Sequence, residues 1–108
     1  MLIADDDPAV REGLRRVFVQ DGLHVATAAS GEEALEWLDG QRPDVVVTDL
    51  CMAEVSGWDL VFHTHLHGIG LPFIVITALP LAEAGGVERI AAAFFQKPLD
   101  LDALLETI

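Results

Sequence analysis

Short apolar runs alternate with amphipathic stretches along the whole chain. Residues 2–4 (Leu-Ile-Ala) are apolar and run straight into Asp5, Asp6 and Asp7. Pro8 suits a first helical turn, with Asp7 placed to cap it. Val10, Leu14, Val17 and Phe18 then recur at helical spacing to about residue 20. His24 to Ala28 predicts a second short strand. Ser30-Gly31-Glu32-Glu33 has the form of a capping box, and Ala34, Leu35 and Leu38 give the helix behind it a buried side. Gly40 and Pro43 close that helix. Val45-Val46-Val47-Thr48-Asp49 follows, and its three successive valines predict a strand covered on both faces. A loop ending near Gly57 leads to a helix over 58–67, and Pro72 opens the strand Phe73-Ile74-Val75-Ile76-Thr77. Residues 87–92 read as helical, Phe94-Phe95 as a last strand with one ring inward and one outward, and Leu101, Leu104, Leu105 and Ile108 as a final helix.

Strand and helix therefore alternate through the chain. That order predicts an α/β domain: a parallel sheet with right-handed crossovers and helices on both faces. Residues 1–108 suffice for one domain with one core. No apolar run reaches the length of about 18 residues that a membrane helix needs. The early acidic cluster is unlike a secretory signal, and the single cysteine, Cys51, has no partner for an internal disulfide. A cytoplasmic setting is expected. Eighteen acidic against six basic residues give a formal net charge of −12, which repels nucleic-acid backbones and anionic membranes.

In this architecture functional groups gather at the carboxyl ends of the strands. The strands end in Asp5-Asp6, Asp49 and Thr77, and Lys97, the only lysine, follows the fifth. One rim should hold three carboxylates, one hydroxyl and one ammonium. Clustered carboxylates repel unless a cation intervenes. Hard oxygen ligands with positions left for water and phosphate suit Mg²⁺, and Lys97 would keep Asp49 ionised.

With LIADDDP at the start, VVVTDLCMAEVSG in the middle, VITA on the fourth strand and FFQKP near the end, the chain resembles the receiver domains of two-component response regulators over essentially its whole length. The resemblance implies a (βα)5 flavodoxin-like three-layer sandwich with strand order 2-1-3-4-5. It implies that Asp49 is the phosphoacceptor and that Asp5 and Asp6, with Asp49 and the backbone carbonyl of Cys51, hold Mg²⁺. Thr77 is implied as the switch hydroxyl, Lys97 as the phosphoryl-binding lysine and Phe94 as the aromatic switch. The implied chemistry is phosphoryl transfer from a histidine kinase, a phosphotransfer protein or a small phosphodonor, without turnover in the enzymatic sense. The implied output runs through the fourth helix, fifth strand and fifth helix to an effector domain, a partner or a second copy. The chain reads as the front of a longer regulator.

Plainer readings stand beside these. Asp7 is read as a cap and not a metal ligand. His63 and His67, one helical turn apart, are read as a solvated helix end, and Val87 and Ile90 as core. Gly85-Gly86 predicts a late or frayed fourth helix. A pseudo-receiver, an interaction module of the same fold without phosphotransfer, is the main rival, but it would commonly lack the aspartate, the acidic pair or the lysine. A haloacid-dehalogenase-type phosphohydrolase shares Asp5-x-Asp7, Thr77 and Lys97, but needs a later acidic pair and a cap for which 108 residues leave no space.

Overall fold

The structure, a computed structural model, describes residues 1–50, 52, 56–66, 71–79 and 91–97. Eight elements fall within these residues: β1 (Leu2–Ala4), α1 (Pro8–Gln20), β2 (Ala26–Ala28), α2 (Gly31–Gly40), β3 (Val46–Asp49), α3 (Gly57–Leu66), β4 (Phe73–Thr77) and β5 (Ala93–Gln96). The strands form one parallel sheet in the order β2-β1-β3-β4-β5, as the resemblance implies.

Local chemistry sets the helix starts. Asp7 accepts the Ala9 N–H at 2.9 Å, and Pro8 fills the first turn of α1. Helix α1 ends in a Schellman-type turn, with the Leu23 N–H on Phe18 O and the Gly22 N–H on Val19 O, both at 3.0 Å. Gly22 takes φ +90° there, where a side chain would be strained. At α2, Ser30 Oγ accepts the Glu33 N–H at 3.1 Å, while the Glu33 carboxylate reaches back to the Ala29 N–H at 3.2 Å.

The apolar residues divide by strand parity. Leu2, Ala4, Val46 and Val75 face Ala34 and Leu38 of α2 and Leu60 and Val61 of α3. Ile3, Val47, Ile74 and Ile76 face Leu14 and Phe18 of α1. Both faces of β3 and β4 are thus buried, which explains their unbroken apolar runs.

Three expectations shift. The second strand is shorter than His24–Ala28, because three-residue β1 pairs only with Ala26–Ala28. The helix expected over 87–92 does not reach Ala91 and Ala92, which form a bend where the Ala92 N–H meets Phe73 O at 2.7 Å and leads into β5. Neither ring of Phe94-Phe95 points outward: Phe94 packs with the α2/α3 side and Phe95 with the α1 side, since the sheet is covered on both faces. Val87, Ile90, Gly85-Gly86 and the final helix lie outside the described residues.

Candidate functional site

β1, β3 and β4 run parallel and in close register. Leu2 pairs with Val46, and Val46 pairs with Phe73. Their carboxyl ends therefore lie on one rim. Asp5 follows β1, Asp49 ends β3 and Thr77 ends β4, one step past the Asp49–Ile76 pair. Lys97 follows β5, and its N–H donates to Thr77 O at 2.7 Å.

The side chains converge. Lys97 Nζ donates to Asp49 Oδ2 at 2.8 Å and to Asp5 Oδ2 at 3.2 Å. Asp5 and Thr77 are fully buried and Asp49 is nearly so. The other oxygen of Asp5, Oδ1, accepts the Asp7 N–H at 2.9 Å. Burial pushes the Asp5 carboxyl above the usual carboxylate value; the Asp7 N–H and the charge of Lys97 oppose this, and the charge of Asp49 adds to it. For Lys97 burial works downward, but the hydrogen bond and charge of Asp49, then those of Asp5, outweigh it and leave the ammonium above the usual lysine value.

The remaining expected residues take different places. Asp6 is exposed beside this cluster. Cys51, whose carbonyl was implied as a ligand, lies outside the described residues, as does His67. Phe94 lies half-buried on the sheet face that carries Val75. Thr77 Oγ1 accepts the Leu79 N–H at 3.2 Å.

Two carboxylates share one ammonium, which leaves local negative charge on hard oxygen donors. That donor set fits Mg²⁺, which keeps several of its waters and takes few protein ligands. Among the described residues no three His, Cys, Asp or Glu side chains form a ready metal cage.

Several contributors escaped the sequence reading. Arg11 Nη1 donates to Asp5 O at 2.9 Å, tying α1 to the rim; its signal was a lone arginine on the first turns after the acidic cluster. Thr48 Oγ1 donates to Asp49 O at 2.9 Å. Gly57 donates its N–H to Leu50 O at 3.0 Å. A Cβ at Gly57 would overlap the Asp49 carbonyl oxygen and stand 2.7 Å from Leu50 Cα. Ser56 and Asp59 form a second capping box: Ser56 Oγ accepts the Asp59 N–H at 3.3 Å, and Asp59 Oδ2 accepts the Ser56 N–H at 2.9 Å.

Comparison with known proteins agrees with this geometry. The sequence profile of the response regulator receiver domain matches residues 1–108. The response regulator MprA of Mycolicibacterium vanbaalenii is 36% identical over 107 residues, covering 97% of this chain and 46% of that protein. The chain thus spans about half the length of such relatives. Among solved structures, a response regulator receiver protein from Pseudomonas putida superposes with a TM-score of 0.91 at 32% identity, covering 98% of this chain and 91% of that one. The response regulator TrrA of Thermotoga maritima, solved in complex with Mg²⁺-BeF, superposes with a TM-score of 0.88 at 28% identity, covering 97% and 91%. No described helix is long and apolar enough to cross a membrane. Matched along its entire length by the family profile, and carrying the strand order and acidic rim described above, the chain belongs to the response regulator receiver domains of two-component signalling.

Proposed function

We propose that this chain accepts a phosphoryl group on Asp49 and passes the signal on through a change at Thr77 and Phe94. The observation that carries the proposal is Lys97 Nζ bridging Asp49 Oδ2 and Asp5 Oδ2. A buried carboxylate bonded to a lysine ammonium at the mouth of a parallel sheet is a nucleophile in waiting. One of its oxygens would attack phosphorus in line, forming the O–P bond of an acyl phosphate. The bond to the donor breaks at the same time, and its electron pair leaves with the donor group.

Such transfer depends on positioning and charge neutralisation. Lys97 stands where it would neutralise a phosphoryl oxygen as well as Asp49. Asp5, Asp6, Asp49 and the Cys51 carbonyl would hold Mg²⁺. When bound, the ion supplies further neutralisation of the phosphoryl oxygens. The Thr77 hydroxyl would donate to a phosphoryl oxygen, and Phe94 would take up the space it leaves. The added charge then biases a two-state equilibrium. A histidine kinase or phosphotransfer protein is the proposed donor, and an effector domain or a second copy the proposed reader. The cytoplasm is the compartment such donors imply.

Intact mass after incubation with acetyl phosphate and Mg²⁺ tests the assignment. A phosphoryl adduct is expected on the native chain and not on Asp49→Asn. An adduct of equal yield on both would place the acceptor elsewhere, and none on either would favour a pseudo-receiver.

A further inference from the structure

Gln96 stands directly opposite Thr77 in the β4–β5 ladder. Paired residues project from the same face of a sheet, here the face that also carries Val75 and Phe94. Although Gln96 is exposed, its side chain is engaged: Nε2 donates to Leu79 O at 3.1 Å, across 17 positions of sequence. The Leu79 N–H donates to Thr77 Oγ1 at 3.2 Å. Leu79 is therefore held at both its polar groups, by the switch hydroxyl on one side and by the Gln96 carboxamide on the other.

We propose that Gln96 is a positioning residue, a latch on Leu79 that sets how readily the Thr77 hydroxyl turns toward a phosphoryl group on Asp49. This rests on the phosphoacceptor reading above. Thr77 is fully buried, and its oxygen is oriented by the Leu79 N–H. Turning it toward Asp49 moves it against that bond, so the segment from Thr77 to Leu79 has to yield. The Gln96 amide resists by fixing Leu79 O. Leu79 and Phe94 pack against the same apolar cluster, so a shift of Leu79 is passed to the aromatic switch by way of that cluster. Removing the latch favours the phosphoryl-bound arrangement. The size of the effect is that of one net hydrogen bond at a wet edge, about two- to ten-fold in an equilibrium constant.

The test compares the native chain with Gln96→Met, which keeps length and loses the donor, and Gln96→Asn, which keeps the carboxamide one methylene too short. Calorimetric titration with beryllofluoride at saturating Mg²⁺ reads the phosphoryl-bound arrangement, and amide exchange of Leu79 reads the latch itself. Both variants are expected to bind beryllofluoride about two- to ten-fold more tightly, with unchanged affinity for Mg²⁺ alone and faster Leu79 exchange. Unchanged exchange and affinity in Gln96→Met, or native behaviour from Gln96→Asn, would overturn the latch. Failure of the native chain to bind beryllofluoride sinks the phosphoacceptor reading and the coupling with it. Leu79 exchange would still show, in that case, whether the contact exists.

Discussion

Lys97 serves two buried carboxylates with one positive charge, and the imbalance falls on Asp5. Its carboxyl is raised by burial, with opposition from the Asp7 N–H and Lys97. A carboxyl raised on folding takes up a proton between its ordinary and its raised value, so stability falls as pH climbs through that window and stays lower above it. Asp5→Asn, assayed without Mg²⁺, should therefore raise the melting temperature at pH 7. The gain should be about 4–8 °C, which is what roughly 1 kcal/mol produces in a domain of this size. The difference from native should vanish at acid pH, where Asp5 is protonated anyway; thermal melts across pH read both effects. Lys97 has a dependence of the same sign, placed in an alkaline window. Its raised value gives stability that is full below the ordinary lysine value and lost as pH rises through the folded one. Asp5, Asp49, Thr77 and Lys97 were legible in the sequence because each sits at or just past a strand end, and parallel topology places strand ends together. Gln96 and Arg11 were not, because what they do depends on backbone carbonyls that only the fold brings within reach.

Elements announce themselves where capping chemistry is local. Asp7-Pro8 and Ser30 with Glu33 fixed the starts of α1 and α2 as read. The box of Ser56 and Asp59 was overlooked because aspartate stands where glutamate or glutamine is usual. Strand length was less legible: β2 is cut to its pairing with β1, a non-local limit that residue pattern does not carry. Phe94-Phe95 was misread for a similar reason, since alternation says only that two rings face opposite ways, and not that both faces are covered. The start of α3 bears directly on the site. Gly57 lies against the Asp49 carbonyl and Leu50 Cα, both backbone atoms with little room to retreat. Gly57→Ala should cost about 1–3 kcal/mol, the usual range for overpacking a close contact. Because the crowded atoms belong to Asp49, the proposed acceptor, and to its neighbour Leu50, phosphorylation by acetyl phosphate should slow more than the loss of folded protein explains. Chemical denaturation paired with adduct formation under fully folded conditions separates the two effects.

The whole molecule gathers its chemistry at one rim and spreads acidic charge over much of its surface. A formal net charge of −12 acts on any anionic donor before contact, and Lys97 is the only lysine set against it. At about 10 mM ionic strength the screening length is near 30 Å, so an approaching acetyl phosphate meets the field of the whole domain. At about 150 mM it falls to near 8 Å, and the donor responds mainly to the groups at the rim. Phosphorylation should therefore speed up as salt rises between these limits, by about two-fold or more at fixed saturating Mg²⁺, because screening removes repulsion between like charges. The rate of adduct formation followed by intact mass across a salt series checks this. A rate that falls with salt would mean that the ammonium and the metal dominate the approach even at long range. A rising rate would mean that the acidic surface slows small anionic donors. A protein donor with a complementary basic face would gain from the same field, and the rim would then favour such a partner over free phosphodonors through encounter rate alone, before any difference in contacts at the site.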